Sequence, residues 1–260
     1  MNFFFGINNK EFLSTITIPK FQNNSKQNNE YKVFVSSIIK NNWTIEKLDC
    51  SEDKNFFFID SKLITNEKNF FLSKEKHIKS DGKNLLEMVY PNKFTDTSPA
   101  YRASLEITKK NGGFSSYQSE YPYGMINKKS QLLSPLSTLL DVNAESNYLI
   151  FRNIFCEPEH KSFYLYIVDI YKMMVLKKIE VLTNKTNIIP IDNEFIEKKA
   201  YIFSDTFLGI PIFLSVNNGH LSLEHTHPPY HYILGKKNFQ LANKLKNRIY
   251  EKIFKKNIPV

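Results

Sequence analysis

With 260 residues, 42% of them apolar and 14% aromatic, the chain is long enough to bury a substantial core, as one large domain or two small ones. Its apolar runs fall far short of the ~20 residues that cross a bilayer. Met1–Gly6 has neither the basic start nor the apolar core of a secretory signal, so a soluble cytoplasmic protein is the expectation. Two cysteines, Cys50 and Cys156, with no Cys-x-x-Cys pair, exclude a disulfide framework and a thiolate zinc site. The formal charge of +9 is concentrated: residues 236–256 hold eight basic side chains and one acid, Glu251, and so carry +7 of it.

In chain order, the first 95 residues read as a small mixed α/β region. Tyr31, Phe34, Val35, Ile38 and Ile39 recur at the spacing of one helix face, which predicts an amphipathic helix ended by Asn41-Asn42. Aromatic strands are predicted at 56–59 and 70–72. A helical turn over Leu85, Leu86 and Met88 would take its cap from Ser80 or Asp81. Pro91 to Pro99 has the composition of a linker, which places a boundary between residues 1–95 and 96–260.

Beyond it the pattern becomes β. Tyr101, Ala103, Leu105 and Ile107 alternate with Arg102, Ser104, Glu106 and Thr108, a strand with one wet face, ended by the turn Asn111-Gly112-Gly113. Strands follow at 147–155, 162–170 and 173–183. Ile210–Val216 and His220–His227 form a hairpin about Asn217-Asn218-Gly219, stopped by Pro228-Pro229. The chain closes with a helix over Asn238–Lys256, striped by Leu241, Leu245, Ile249 and Ile253. The expected fold class is α+β: mainly antiparallel β, sandwich- or barrel-like, with a C-terminal amphipathic helix. No internal repeat is visible.

Only Arg102, Arg152 and Arg248 are arginines among 35 basic residues, which singles out positions where a planar five-donor fork serves and a point charge does not. If the strands of Arg102 and Arg152 pair, the two guanidinium groups bracket a carboxylate or phosphate. The adjoining stretch holds Ser115, Ser116, Tyr117, Gln118, Glu120 and Tyr121, a concentration of hydroxyl, amide and aromatic groups suited to sugars: rings stack and polar groups bond hydroxyls. The leading expectation is therefore a binding or accessory protein for a polar, anionic small molecule or glycan. An alternative for Arg102 is an ion pair with Glu106 on the same strand face.

Four of the six histidines lie between residues 220 and 231. On a strand His225 and His227 share a face, and His231 beyond the Pro-Pro corner supplies a third nitrogen. That set suits a divalent zinc or iron with an open position, the basis for a second expectation, a metal-dependent enzyme. Gly219, five residues and His225-Thr226-His227 resemble the start of the first cupin motif. His231 stands in place of its Glu, however, and a helix stands where the second motif belongs. A third expectation is a nucleic-acid or anionic membrane-surface binder that uses the basic C-terminal helix. Nucleic acid is disfavoured there, since aromatic interleaving is limited to Phe239, Tyr250 and Phe254.

Overall fold

The computed structural model describes residues 1–21, 30–94, 102–118, 120–127, 133–225 and 236–254. In the first half the strands are β1 (Asn2–Phe4), β2 (Phe12–Pro19), β3 (Lys32–Ile39), β4 (Asn42–Lys47), β5 (Ser51–Glu52) and β6 (Phe56–Ile59). Next come β7 (Asn69–Ser73), β8 (Asp81–Gly82), the helical turn α1 (Leu85–Met88), β9 (Ser104–Lys109), β10 (Phe114–Gln118) and β11 (Tyr121–Pro122). The second half runs through β12 (Leu133–Pro135), β13 (Ser146–Arg152), β14 (Ser162–Asp169), β15 (Met174–Leu182) and β16 (Thr186–Ile191). It ends with α2 (Asn193–Glu197), β17 (Tyr201–Ser204), β18 (Ile210–Asn217), β19 (His220–His225), α3 (Lys236–Ile249) and a π-helical turn, Tyr250–Phe254.

These strands make four antiparallel sheets, ordered β11-β1-β7-β3-β4-β8, β10-β9-β2-β6-β5, β12-β17-β14-β15 and β16-β13-β18-β19. They stand as a propeller-like ring of open sheets. The chain is mainly antiparallel β, as expected, but neither one sandwich nor a closed barrel. Strand spacing in the sequence gives the number of strands and not which sheet each one joins.

One pattern is used twice. Leaving out β5, β8 and β11, the order β1-β7-β3-β4 corresponds strand for strand to β12-β17-β14-β15. Likewise β10-β9-β2-β6 corresponds to β19-β18-β13-β16, with the same succession along the chain. In each half the chain passes back and forth between two sheets. The equivalent hairpins β9–β10 and β18–β19 meet at their tips, where Gly113 N donates to Gly219 O at 2.7 Å. A β-carbon on Gly112 would stand 2.9 Å from that oxygen, so the close approach requires glycine.

The core follows this plan. Phe3 and Phe71 of the first sheet and Ile16 and Leu105 of the second share one cluster, which continues onto Ile150, Ile212 and Leu214 of the fourth sheet. The other face of that fourth sheet, through Leu149, Phe151 and Phe213, packs on Phe163, Leu165 and Ile202 of the third. Because both its faces are covered, β18 is buried almost end to end. The helix α3 lies against the third sheet through Ile249, joined by Tyr250 to Val168 and Phe203.

Several expectations are corrected here. Residues 32–39 are a strand, not a helix. Val33, Phe34 and Val35 are buried in succession within a sheet, and the β-branched Val and Ile of the segment suit a pleated surface. Among the described residues the N-terminal region is thus mainly β, with two three-residue 3-10 turns and one four-residue helical turn. That turn is capped by Asn84, whose side chain accepts from Leu86 N at 3.0 Å, rather than by Ser80 or Asp81. Backbone pairing joins residues on either side of position 95, β2 with β9 and β1 with β11. Most of the linker expected over residues 91–99 lies outside the described residues, as do Tyr101 and the part of the last helix beyond Phe254. The strands predicted at 56–59, 70–72, 147–155, 162–170, 173–183 and in the late hairpin are present to within a few residues.

Candidate functional site

Arg152 sits at the end of β13 with no exposed surface. Its Nη1 donates to Asn66 O at 2.6 Å and Thr186 Oγ1 at 3.3 Å, and its Nη2 to Glu67 O at 3.4 Å and to Asn69 Oδ1. All four acceptors are neutral. Burial pulls its pKa down to about 9, with Tyr121 and Glu67 opposing the shift. The guanidinium therefore stays charged at neutral pH and ties residues 66–69, which lead into β7 in the first half, to β13 and β16 in the second.

Arg102 is elsewhere. It precedes β9, and β9 pairs with β2 and β10 whereas β13 pairs with β16 and β18, so the two arginine strands are not partners. Arg102 Nε lies 3.7 Å from Glu120 Oε2, with both side chains largely buried. Its carboxylate neighbour is thus Glu120 on the returning chain rather than Glu106. The bracketing of an anion by two arginines, which depended on adjacent strands, is not formed.

The residues of the serine–tyrosine stretch divide by pleat. Tyr121 is fully buried, its hydroxyl within 3.4–3.5 Å of the carbonyl oxygens of Met125, Ile154 and Leu208. Tyr117 is buried beside Leu105, and Ser115 is half-buried opposite Ile107. Ser116 is exposed and faces outward. Gln118 pairs with Ser104 through the backbone.

Ser116 belongs to a regular polar grid. The register sets Ser116 beside Glu106 and Glu106 beside Thr15, Phe114 beside Thr108 and Thr108 beside Leu13, and Ser104 beside Thr17, which adjoins Phe58. Alternation along β2 and β9 buries Ile16, Leu105 and Ile107 and leaves Thr15, Thr17, Ser104, Glu106 and Thr108 partly open on the other face. Phe114, 66% exposed, and the exposed Phe58 rim this face. Neighbouring strands stand ~4.8 Å apart and same-face residues ~6.8 Å apart along a strand, so hydroxyl and carboxylate groups repeat at fixed intervals between two rings. The equivalent strand of the second half, β19, packs beside β10 and presents exposed His220, Ser222 and Glu224.

Of these residues, sequence reasoning reached Ser116 and the wet face of β9. It missed Thr15 and Thr17, although Phe12, Ser14, Ile16 and Ile18 alternate with Leu13, Thr15 and Thr17 in plain view. Phe114 carries no polar group that would single it out in the sequence.

The expected metal set falls on His225, His227 and His231. His227 and His231 lie outside the described residues, and His225 is described only as the backbone end of β19, opposite Ile212. Among the described residues no group of His, Cys, Asp and Glu is placed to hold a metal ion. The half-buried Cys50 thiol is pushed up to about 11, chiefly by burial and then by Glu52 and Asp49, so it is protonated at neutral pH. Cys156 is buried, its sulfur 2.7 Å from Asn127 Nδ2 and its carbonyl accepting from Trp43 Nε1 at 2.6 Å. Concave regions are lined by other residues: one of about 380 Å³ by His77, Leu86, Met88 and Tyr90, and one of about 530 Å³ by Asn66, Lys185 and Thr186.

On α3 the stripe is half used. Ile249 is buried and Leu245 half-buried, Leu241 is 55% exposed, and Lys244 and Arg248 face solvent. No described helix is long and apolar enough to cross a membrane. No family model, curated protein or solved structure matches the chain.

Proposed function

We propose that this protein is a binding module for a polar ligand of glycan type, seated on the outer face of β2, β9 and β10. The observation that carries the reading is the grid of Thr15, Thr17, Ser104, Glu106, Thr108 and Ser116 between the exposed rings of Phe114 and Phe58. Sugars have apolar faces that cover an aromatic ring and equatorial hydroxyls that need donors and acceptors at regular spacing, and a pleated polar surface supplies both. A pre-formed, flat face also loses little side-chain freedom on binding, because Ser and Thr have few rotamers to fix.

Charge narrows the ligand. Arg152 is inaccessible and Arg102 is engaged by Glu120, while Glu106 lies at the centre of the grid. A neutral glycan suits this face better than an acidic one, which shifts the anionic ligand expected from the arginines alone. Titration calorimetry with neutral and acidic oligosaccharides tests the reading. Phe114→Ala and Glu106→Gln are each expected to weaken binding about tenfold or more, the loss of one stacked ring or one charge-assisted hydrogen bond. Affinity for acidic oligosaccharides matching the neutral ones, or binding unchanged in both variants, would overturn it.

A further inference from the structure

The β14–β15 hairpin and α3 build a second surface, independent of the polar grid. At the hairpin tip Asp169 Oδ1 accepts from the backbone nitrogens of Tyr171 and Lys172, both at 2.9 Å, and Met173 takes a left-handed φ of 52°. The tight turn projects Tyr171, 75% exposed, and Met174, 46% exposed. Their neighbours Ile170, Met173 and Val175 pack on the cluster of Val168, Phe203, Ile249 and Tyr250, to which Leu245 and Ile253 also belong. The tip is thereby fixed beside the helix.

Along the helix and the turn that continues it, Lys244, Arg248 and Lys252 recur every four residues and are exposed, with Leu241 open near one end. The exposed Lys172 adds a cation from the hairpin. Among the described residues no carboxylate lies within ion-pair distance of these four cations, although Glu251 stands on the same stretch. Four exposed cations with no ion-paired carboxylate among the described residues thus share one hairpin–helix unit with an exposed aromatic–methionine tip.

We infer that this face docks on an anionic lipid surface, with Lys172, Lys244, Arg248 and Lys252 on the headgroups and Tyr171, Met174 and Leu241 at the headgroup–acyl boundary. Charge complementarity favours any polyanion, but the projecting apolar side chains separate the candidates. A bilayer interface accepts them, whereas a phosphodiester backbone gives them no environment better than water. The inward side of the helix is already spent on the third sheet, so the contact is peripheral and reversible.

Co-sedimentation with vesicles of phosphatidylcholine alone, or with about one-third phosphatidylglycerol, tests this. The full chain is expected to bind the anionic vesicles and not the neutral ones. Lys244→Gln/Arg248→Gln is expected to lower the partition coefficient roughly thirtyfold, about fivefold for each cation removed. Tyr171→Ser/Met174→Ser is expected to lower it at every salt concentration while leaving the slope against salt unchanged. These sites are exposed, so thermal midpoints should match wild type and separate lost docking from lost folding. Equal binding to both vesicle types, or no binding to either, overturns the inference. So does tight binding to a duplex oligonucleotide that Tyr171→Ser/Met174→Ser leaves untouched, which assigns the face to nucleic acid.

Discussion

Replacing Arg152 by Met is expected to destabilise the fold by about 3 kcal/mol and lower the thermal midpoint by roughly 6–12 °C. The methionine chain matches much of the volume and removes the cost of burying a cation. It leaves Asn69 Oδ1 and Thr186 Oγ1 without that donor inside the protein, and frees residues 66–69 from the second half. Unsatisfied buried acceptors cost ~1–3 kcal/mol each, more than the relief of one desolvated charge returns when the acceptors stay in place. Arg152→Lys keeps the charge, but one nitrogen cannot span acceptors that the guanidinium fork reaches from two, so it should lose nearly as much.

The pH dependence has a definite sign. With its pKa depressed to about 9 in the folded state, the group binds fewer protons there than in the unfolded chain at pH values above 9. Its burial penalty is therefore relieved as pH rises through that window and is constant below it. The difference in stability between wild type and Arg152→Met, followed by urea unfolding, should be flat from neutral pH up to nearly 9. An unchanged midpoint in the variant, or a difference that varies steeply near neutrality, contradicts this role for Arg152.

Gly209→Ala is expected to cost at least as much, about 3 kcal/mol or more. The glycine lies just before β18, and a β-carbon there would stand 2.6 Å from Arg152 O and closer still to the Phe151 ring. Neither can yield easily. Arg152 is held in register by Thr186 on one side and Ile210 on the other, and Phe151 is fully buried between the sheets. Gly124→Ala provides the control, since a β-carbon there meets nothing within 4 Å, and its effect should stay within ~0.5 kcal/mol. A Gly209→Ala protein with the wild-type urea midpoint would contradict the close approach of these backbones.

The sequence made the β character legible wherever one face is wet. Ser104–Lys109 shows strict alternation because its sheet has solvent on one side, and both glycine-bearing hairpins declare their turns. Lys32–Ile39 reads as a helix because Val33–Ser36 are buried on both faces of the strand. Its apolar residues cluster instead of alternating, and clustering at 31, 34, 35, 38 and 39 imitates a helix. The doubled strand pattern is invisible in the sequence because it lies in pairing order and not in residue identity: β2 and β13 occupy equivalent places, yet β2 alternates buried and open residues while β13 buries Leu149, Ile150 and Phe151 in succession.

For the site, scarcity was the wrong guide in one respect. A rare arginine marks a place where the fork is needed, and for Arg152 that place is an internal tie between the two halves. The sequence points to part of the proposed face through Ser116 and the wet face of β9. Assembling the grid needed the register of β2 against β9, a contact across some ninety residues that no local pattern encodes.

Backbone amide shifts followed by NMR while a neutral oligosaccharide is titrated in test the glycan face most directly. Changes should centre on Thr15, Ser104, Glu106, Phe114 and Ser116, reach Phe58 and fade across β5, leaving the groove of His77 and Tyr90 untouched. Shifts that cluster at that groove instead, or a spectrum unmoved at millimolar sugar, would contradict the assignment of the ligand to the outer face of β2, β9 and β10.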